Sequence, residues 1–230
     1  MLKLSPRLQM AADMVRRGKT VCDVGTDHAY LPSYLILNGI VPNAVASDIG
    51  EGPLKNAAKT VSAYNLSGKI SLRLSDGLWN IGEKDADDIV MCGMGGELMV
   101  RVISETPWLK NPEKHLICQP MSHAEDLRAF FIENGFSIEK ETACEDSGRV
   151  YIAISAYYTG ETADCPPGFV YYGRLPVKTD INARRYVEKQ AQRLKNRAGG
   201  IENYENLAAE HNSLTEALKD IERMLENADS

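Results

Sequence analysis

The run Asp23-Val24-Gly25-Thr26-Asp27-His28-Ala29-Tyr30 follows the apolar start of a short strand, and Asp48 closes the next apolar run, Ala44-Val45-Ala46-Ser47. A tight glycine turn after one strand and an acid after the next is how an open α/β sheet holds a nucleoside. The turn lets backbone approach the ligand, and the carboxylate accepts from ribose hydroxyls. The composition of the turn narrows the ligand. A dinucleotide fingerprint needs three glycines to bring backbone against a pyrophosphate. Here Gly25 stands alone, with Asp27 at the second glycine position and Tyr30 at the third. An anionic side chain there repels a pyrophosphate and suits a cation such as an ammonium or a sulfonium.

S-adenosylmethionine carries both cations, so the turn points to methyl transfer. In that reading the backbone at Asp23 flanks the methionine part of the donor. Gly25 supplies the turn, and Thr26, Asp27, His28 and Tyr30 stand at its mouth. Asp48 takes the ribose hydroxyls. Asp76 follows a third strand, and it accepts from the adenine amino group while Gly77 lets the ring lie against backbone. A fourth apolar run ends in Gly93-Met94-Gly95-Gly96. Gly93 and Met94 belong to the donor side, and Gly95 leaves room for a target base close to the methyl group. The Asn-Pro-Pro-Tyr motif of many amino-directed adenine methyltransferases is absent. Plainer roles stay open for several of these residues: a turn cap for Asp23, a helix cap for His28, a core ring for Tyr30, and ordinary turns at Asp48 and Asp76-Gly77.

Taken in order, Asp23 to Pro32, Ser47-Asp48-Ile49 with Gly52-Pro53-Leu54, Asp76-Gly77 and Met91-Cys92-Gly93-Met94-Gly95-Gly96 resemble the bacterial tRNA (adenine-22-N1)-methyltransferase family. The opening Leu4-Ser5-Pro6-Arg7-Leu8 and the helical tail fit the same family, so the likeness covers essentially the whole chain. It implies a Rossmann-like class I methyltransferase domain and a helical C-terminal domain. It also implies S-adenosylmethionine as donor and tRNA as substrate. Adenine N1 has an in-plane lone pair and no proton, so such a reaction needs positioning and exclusion of water more than a base. Asp27 is then placed to stabilise the positive charge that develops on adenine. Arg7 and Gln119, which ends the fifth apolar run, are candidates for contact with tRNA.

A net charge of −6 is unusual for a protein that binds nucleic acid. The average conceals an uneven distribution. Residues 178–200 hold seven basic side chains against two acidic ones, and residues 201–230 hold eight acidic against two basic. Arg185, Lys189 and Arg193 recur at steps of four, on one face of a helix, and are the tail's candidates for tRNA phosphates. The Arg16-Arg17-Gly18-Lys19 cluster reads as solvated surface. Five cysteines without a Cys-x-x-Cys pair give no support for a metal or a disulfide. No apolar run approaches the roughly 20 residues that span a bilayer, and no secretory leader is evident, so a cytoplasmic protein without an obligate protein partner is expected.

The elements that must position these residues alternate. Strand patterns fall near 20–24, 44–48, 70–74, 87–92, 114–118, 136–143 and 149–158, with helices near 5–17, 29–38, 53–65, 96–105 and 123–134 between them. The expectation is a mostly parallel seven-stranded sheet covered on both faces, ending in an antiparallel hairpin that turns at Asp146-Ser147-Gly148. Residues 1–159 form this domain, and a Gly-, Pro- and Tyr-rich linker follows over 160–177. Residues 178–230 are read as an antiparallel coiled-coil hairpin of helices near 179–197 and 201–227, broken at Gly199-Gly200. Its seam is Leu207, His211, Leu214, Leu218, Ile221 and Leu225, facing Ile181, Tyr186, Leu194 and the stem of Arg197. Two rivals remain. One is a nucleotide-binding oxidoreductase that uses NAD or NADP, which the charge of Asp27 opposes. The other is a methyltransferase that acts on a protein docked to the tail.

Overall fold

A computed structural model describes residues 2–229; residues 1 and 230, the outer limits of the two expected domains, lie outside the described residues. Seven strands form one sheet: β1 (Val21–Val24), β2 (Ala44–Asp48), β3 (Ile70–Leu74), β4 (Asp88–Gly95), β5 (His115–Ser122), β6 (Phe136–Asp146) and β7 (Arg149–Tyr158). Their spatial order is β3-β2-β1-β4-β5-β7-β6. The pairings among β1 to β5 are parallel, and β7 runs antiparallel to both β5 and β6. The seven strand positions match the sequence patterns. The hairpin turns at Ser147 and Gly148, both at positive φ (52° and 76°), the geometry that suits a two-residue connection.

Parallel strands covered on both faces read as continuous apolar runs, and β1 is buried along its whole length. Successive side chains feed opposite cores. Cys22, Val24, Ile89, Met91, Leu116 and Cys118 enter one core, while Val21, Ala44, Ala46, Val90 and Ile117 enter the other. Helices α1 (Pro6–Ala12), α2 (Tyr30–Leu37) and α3 (Glu51–Ala63) accompany the second core, and α4 (Gly96–Ser104) and α5 (Ala124–Glu133) accompany the first. The sheet order reverses between β1 and β4, so the loops leaving their carboxyl ends open a crevice.

Helix α1 starts as expected, with Ser5 accepting from the Leu8 amide and Pro6 opening the first turn. It ends at Ala12 rather than near 17. Arg16 is not a freely solvated cation: its guanidinium lies 2.6 Å from the fully buried Asp88 and also donates to the carbonyls of Asp87 and Glu113. A buried carboxylate needs such a partner, and this one ties the loop before β1 to the start of β4.

The C-terminal elements are a short α6 (Phe169–Tyr172), α7 (Ile181–Ile201) and α8 (Ala208–Asp229). Asp180 caps α7 by accepting from the amides of Asn182 and Ala183. The helix runs through Gly199 and Gly200, and the chain reverses over 202–207 instead, so the expected break lies further on. The buried stripe of α7 is Ala183, Val187, Leu194 and Ala198, a 4-7-4 spacing, whereas Ile181 is exposed. On α8 the deepest residues are Leu214, Ala217 and Ile221. These residues, with Leu175 and Val177 of the connecting segment, belong to the same core cluster as β4, β5 and β7. The fully buried pair of Arg128 on α5 and Glu141 on β6, 2.6 Å apart, fixes that segment. Arg128 donates to the carbonyls of Val170 and Tyr171, and Glu141 accepts from the Arg174 amide.

Candidate active site at the carboxyl ends of the parallel strands

The turn after β1 is held from below by β2. The amides of Gly25 and Thr26 both donate to the Ser47 carbonyl, at 2.8 and 2.9 Å. Gly25 has φ +77°, a conformation that glycine enters at little cost. Thr26 is buried and its hydroxyl accepts from the Ala29 amide, which shapes the loop that enters α2. Asp27 and His28 project from this loop, with His28 Nε2 3.3 Å from Asp27 Oδ2. The rings of His28 and Tyr30 lie parallel, 5.0 Å apart with a 9° tilt. His28 does not cap α2: Ala29, in the left-handed conformation, is the N-cap.

A cleft of about 390 Å³ forms around this loop, within the size range of small-molecule sites. Asp23, Gly25, Thr26, Asp27, His28, Tyr30 and Gly93 all line it, and so does Arg7 from α1. Arg7 therefore stands in the cleft expected to hold the donor. Its Nη1 donates to Gln119 Oε1 at 2.9 Å, the same oxygen that accepts from the Gly93 amide at 3.2 Å. Gln119 is fully buried and its Nε2 is turned to the Pro120 carbonyl. A side chain so enclosed cannot read a base edge or meet a phosphate; it positions Arg7 and the Gly93 turn.

Burial dominates the electrostatics of Asp23. The residue is 7 % exposed, and loss of solvent pushes its carboxyl up to about 6; a hydrogen bond from Thr26 offsets part of the rise, and the charge of Asp48 adds to it. Burial likewise raises the Cys92 thiol well above its usual value, which leaves it an unreactive wall.

Asp48, Asp76, Gly77 and Met94, expected at the donor, are not among the residues that line this cleft. Asp48 Oδ1 accepts from the Gly50 amide at 2.7 Å, so the turn-forming role is present. Asp76 Oδ1 is 2.7 Å from Arg101 Nη2 on α4. Gly77 packs against Val102, where a Cβ would stand 2.8 Å from Cγ2. The Met94 side chain lies over Gly25, its Cε 2.3 Å from where a Cβ would be. At Gly95 a Cβ would face Ser122 Oγ at 3.3 Å, whereas at Gly96 it would meet the His123 carbonyl oxygen at 2.0 Å. The glycine run thus includes one position, Gly96, demanded by close backbone packing.

A larger cleft, about 590 Å³, lies beside that turn, between the β5–α5 connection, the β6–β7 hairpin and α7. Lys189 and Arg193 line it. Arg193 is 2.7 Å from Glu125, and Arg185 is paired with Glu145, so the acids facing these two belong to α5 and β6 rather than to α8. Arg197 does pair with α8, through Glu210 at 2.6 Å. Arg149, Tyr151 and Tyr186 complete the cleft. None belongs to a local motif; strand pairing and helix packing bring them together.

An open α/β sheet with a nucleoside-type cleft at its reversal point, an acid after β2 and no second turn glycine defines a Rossmann-like methyltransferase. The family described as Methyltransferase domain matches residues 4–154. A tRNA (adenine(22)-N(1))-methyltransferase of Bacillus subtilis is 36% identical over 155 residues; the match covers 67% of this chain and spans 65% of that relative's length. The crystal structure of the B. subtilis m1A22 tRNA methyltransferase superposes with a TM-score of 0.79 at 27% identity, covering 100% of this chain and 98% of the other. A Streptococcus pneumoniae protein described as a candidate tRNA (m1A22) methyltransferase, solved with S-adenosyl-L-methionine, gives 0.82 at 30% identity, covering 97% and 100%. The chain belongs to the methyltransferase-domain family and, within it, to the group that resembles these tRNA (adenine-22-N1)-methyltransferases.

Proposed function

We propose that the protein transfers a methyl group from S-adenosylmethionine to N1 of an adenosine in tRNA, at position 22. The observation that carries this reading is the adjacency of the two clefts at the Gly93–Gly96 turn: one, lined by Gly93, has nucleoside-donor chemistry at the sheet's reversal point, and the other, lined by Ser122 beside Gly95, carries Arg149, Lys189 and Arg193. The likeness to the B. subtilis and S. pneumoniae proteins supports the substrate and its position.

When bound, the donor supplies an electrophilic sulfonium methyl. The chain's own residues would bind and orient it. The donor's three charged groups fit the cleft: the ionised Asp23 and the exposed Asp27 suit its ammonium and sulfonium, and Arg7 suits its carboxylate. Asp48 keeps one carboxylate oxygen for the ribose hydroxyls beyond its bond to Gly50. Asp76, oriented by Arg101, has an oxygen left for the adenine amino group, with Gly77 beneath the ring. The backbone at Gly95 forms the wall against which the target base lies, and Asp27 is also placed to face the cationic product. Because N1 carries no proton, these residues act by position and by excluding water. N1 lies on the Watson–Crick edge, so the target must be unpaired or flipped. In this reading residues 1–159 are catalytic, 160–177 connect, and 178–230 hold RNA through Arg185, Lys189 and Arg193. Among the described residues no helix is long and apolar enough to cross a membrane.

The test is direct. Purified protein is incubated with undermodified tRNA and methyl-labelled S-adenosylmethionine, and the tRNA is digested to nucleosides. Labelled 1-methyladenosine, lost when the adenosine at position 22 is replaced, is the expected result. Label elsewhere, or none, overturns the reading.

A further inference from the structure

The wider cleft holds an arrangement that its neighbours do not explain. Arg149, at the start of β7, and Lys189, in mid-α7, both line it, and among the described residues neither has an ion-pair partner. Arg193 lines it too, with its guanidinium held by Glu125. Beside them, Gln190 lines the cleft with an Oε1 that is buried and accepts no hydrogen bond. An orphaned buried acceptor is destabilising unless a donor reaches it. A phosphodiester would satisfy the cations but carries no hydrogen to donate to Gln190. A ribonucleotide offers both, an anionic phosphate and a 2′-hydroxyl that donates. Tyr151 and Tyr186 add aromatic surface for the sugar or base.

The cleft is also continuous with the point of methyl transfer. Ser122 lines it and stands 3.3 Å from where a Gly95 Cβ would be. Arg7, a wall of the donor cleft, lies over the Tyr151 ring at 6.0 Å. An RNA strand that presents its base at Gly95 must lead its backbone past this region.

We propose that this cleft binds the tRNA backbone at nucleotides flanking the methylated adenosine. Arg149 and Lys189 hold phosphates, and Gln190, its buried amide turned toward the cleft, accepts from a ribose hydroxyl. The proposal rests on the tRNA reading above and extends its Lys189 contact to Arg149 of β7 and Gln190, across the cleft between α7 and the hairpin. Each phosphate neutralised contributes about 0.7–0.9 to the slope of log affinity against log salt.

The test compares three proteins: wild type, the double variant Arg149→Gln/Lys189→Gln, and the control Lys195→Gln/Arg223→Gln. The control removes the same charge from exposed positions outside the cleft. The affinity of tRNA is measured from 50 to 200 mM salt, and donor affinity is measured by calorimetry. The cleft variant should lose about 1.4–1.8 units of slope, so the wild type's affinity falls roughly ten-fold more steeply over that range. Donor affinity should stay equal in all three, which also shows that each is folded. Equal slopes for wild type and cleft variant overturn the proposal, as does an equal loss in the control, which would make the effect one of net charge. A wild type that methylates tRNA while the cleft variant binds it normally refutes the cleft alone. A wild type that neither holds nor methylates tRNA refutes the substrate reading as well.

Discussion

Lowering the pH should release the donor, because the carboxyl of Asp23 is poised to take up a proton as the solution becomes mildly acidic. Burial raises it from 3.8 to about 6. The donor's ammonium is attracted to the ionised form, so donor binding and Asp23 protonation compete. With a free-protein value near 6, about one site in eleven is protonated at pH 7 and about ten in eleven at pH 5, so affinity should fall roughly ten-fold over that interval. Calorimetric titration with S-adenosylmethionine at both values measures this. Asp23→Asn should bind more weakly at pH 7 and show no such dependence. Stability carries the opposite sign. A carboxyl whose folded value is raised above its unfolded value destabilises the fold where it is ionised. The penalty is full above about pH 6 and fades as pH falls from there toward 3.8, with a ceiling of about 3 kcal/mol. Asp23→Asn should therefore melt higher than wild type at pH 7 while it binds donor less well. Wild-type donor affinity that is flat between pH 7 and pH 5, or equal to that of Asp23→Asn at pH 7, would refute the reasoning.

Asp48→Ala should weaken donor binding about ten- to a hundred-fold, because hydrogen bonds to a charged acceptor contribute roughly 1.5–3 kcal/mol; unchanged affinity in a folded variant removes Asp48 from the site. Arg7→Gln should cost a similar factor for S-adenosylmethionine but little for its decarboxylated analogue, and equal losses for both would deny Arg7 the carboxylate. Gly95→Val should spare donor binding and abolish methyl transfer, whereas Gly96→Val, which drives a side chain into the His123 backbone, should lower stability as seen by urea unfolding. Glu141→Gln leaves the fully buried Arg128 without its counter-charge and should cost about 3–5 kcal/mol, or roughly 6–20 °C in melting temperature by calorimetry.

The strands and most helices were legible in the sequence because each is specified by short-range pattern: apolar runs of strand length, glycine after a helix, proline and serine at its start. The cleft loop was legible for the same reason, since Asp23, Gly25, Thr26, Asp27, His28 and Tyr30 line the cleft from positions set by the end of β1. Local pattern alone determined that end and the charge logic that favours a sulfonium over a pyrophosphate. Tertiary structure decided which side chains face one another. Arg7 reached the donor cleft because α1 packs over β4 and β5, and Gln119 became a buried support because β5 is interior to the sheet. Arg149 joined Lys189 only because β7 pairs between β5 and β6 and α7 lies across that hairpin. Arg185 and Arg193 of α7 found partners on β6 and α5 through the same packing. Helical period predicted that Arg185, Lys189 and Arg193 share a face, but a period cannot say what lies opposite it. Helix α7 also crossed Gly199-Gly200 unbroken, since its buried stripe runs on to Ala198 and packing outweighs the weak helix preference of two glycines. Sequence spacing fixes direction within an element, and contact between elements is a property of the folded chain.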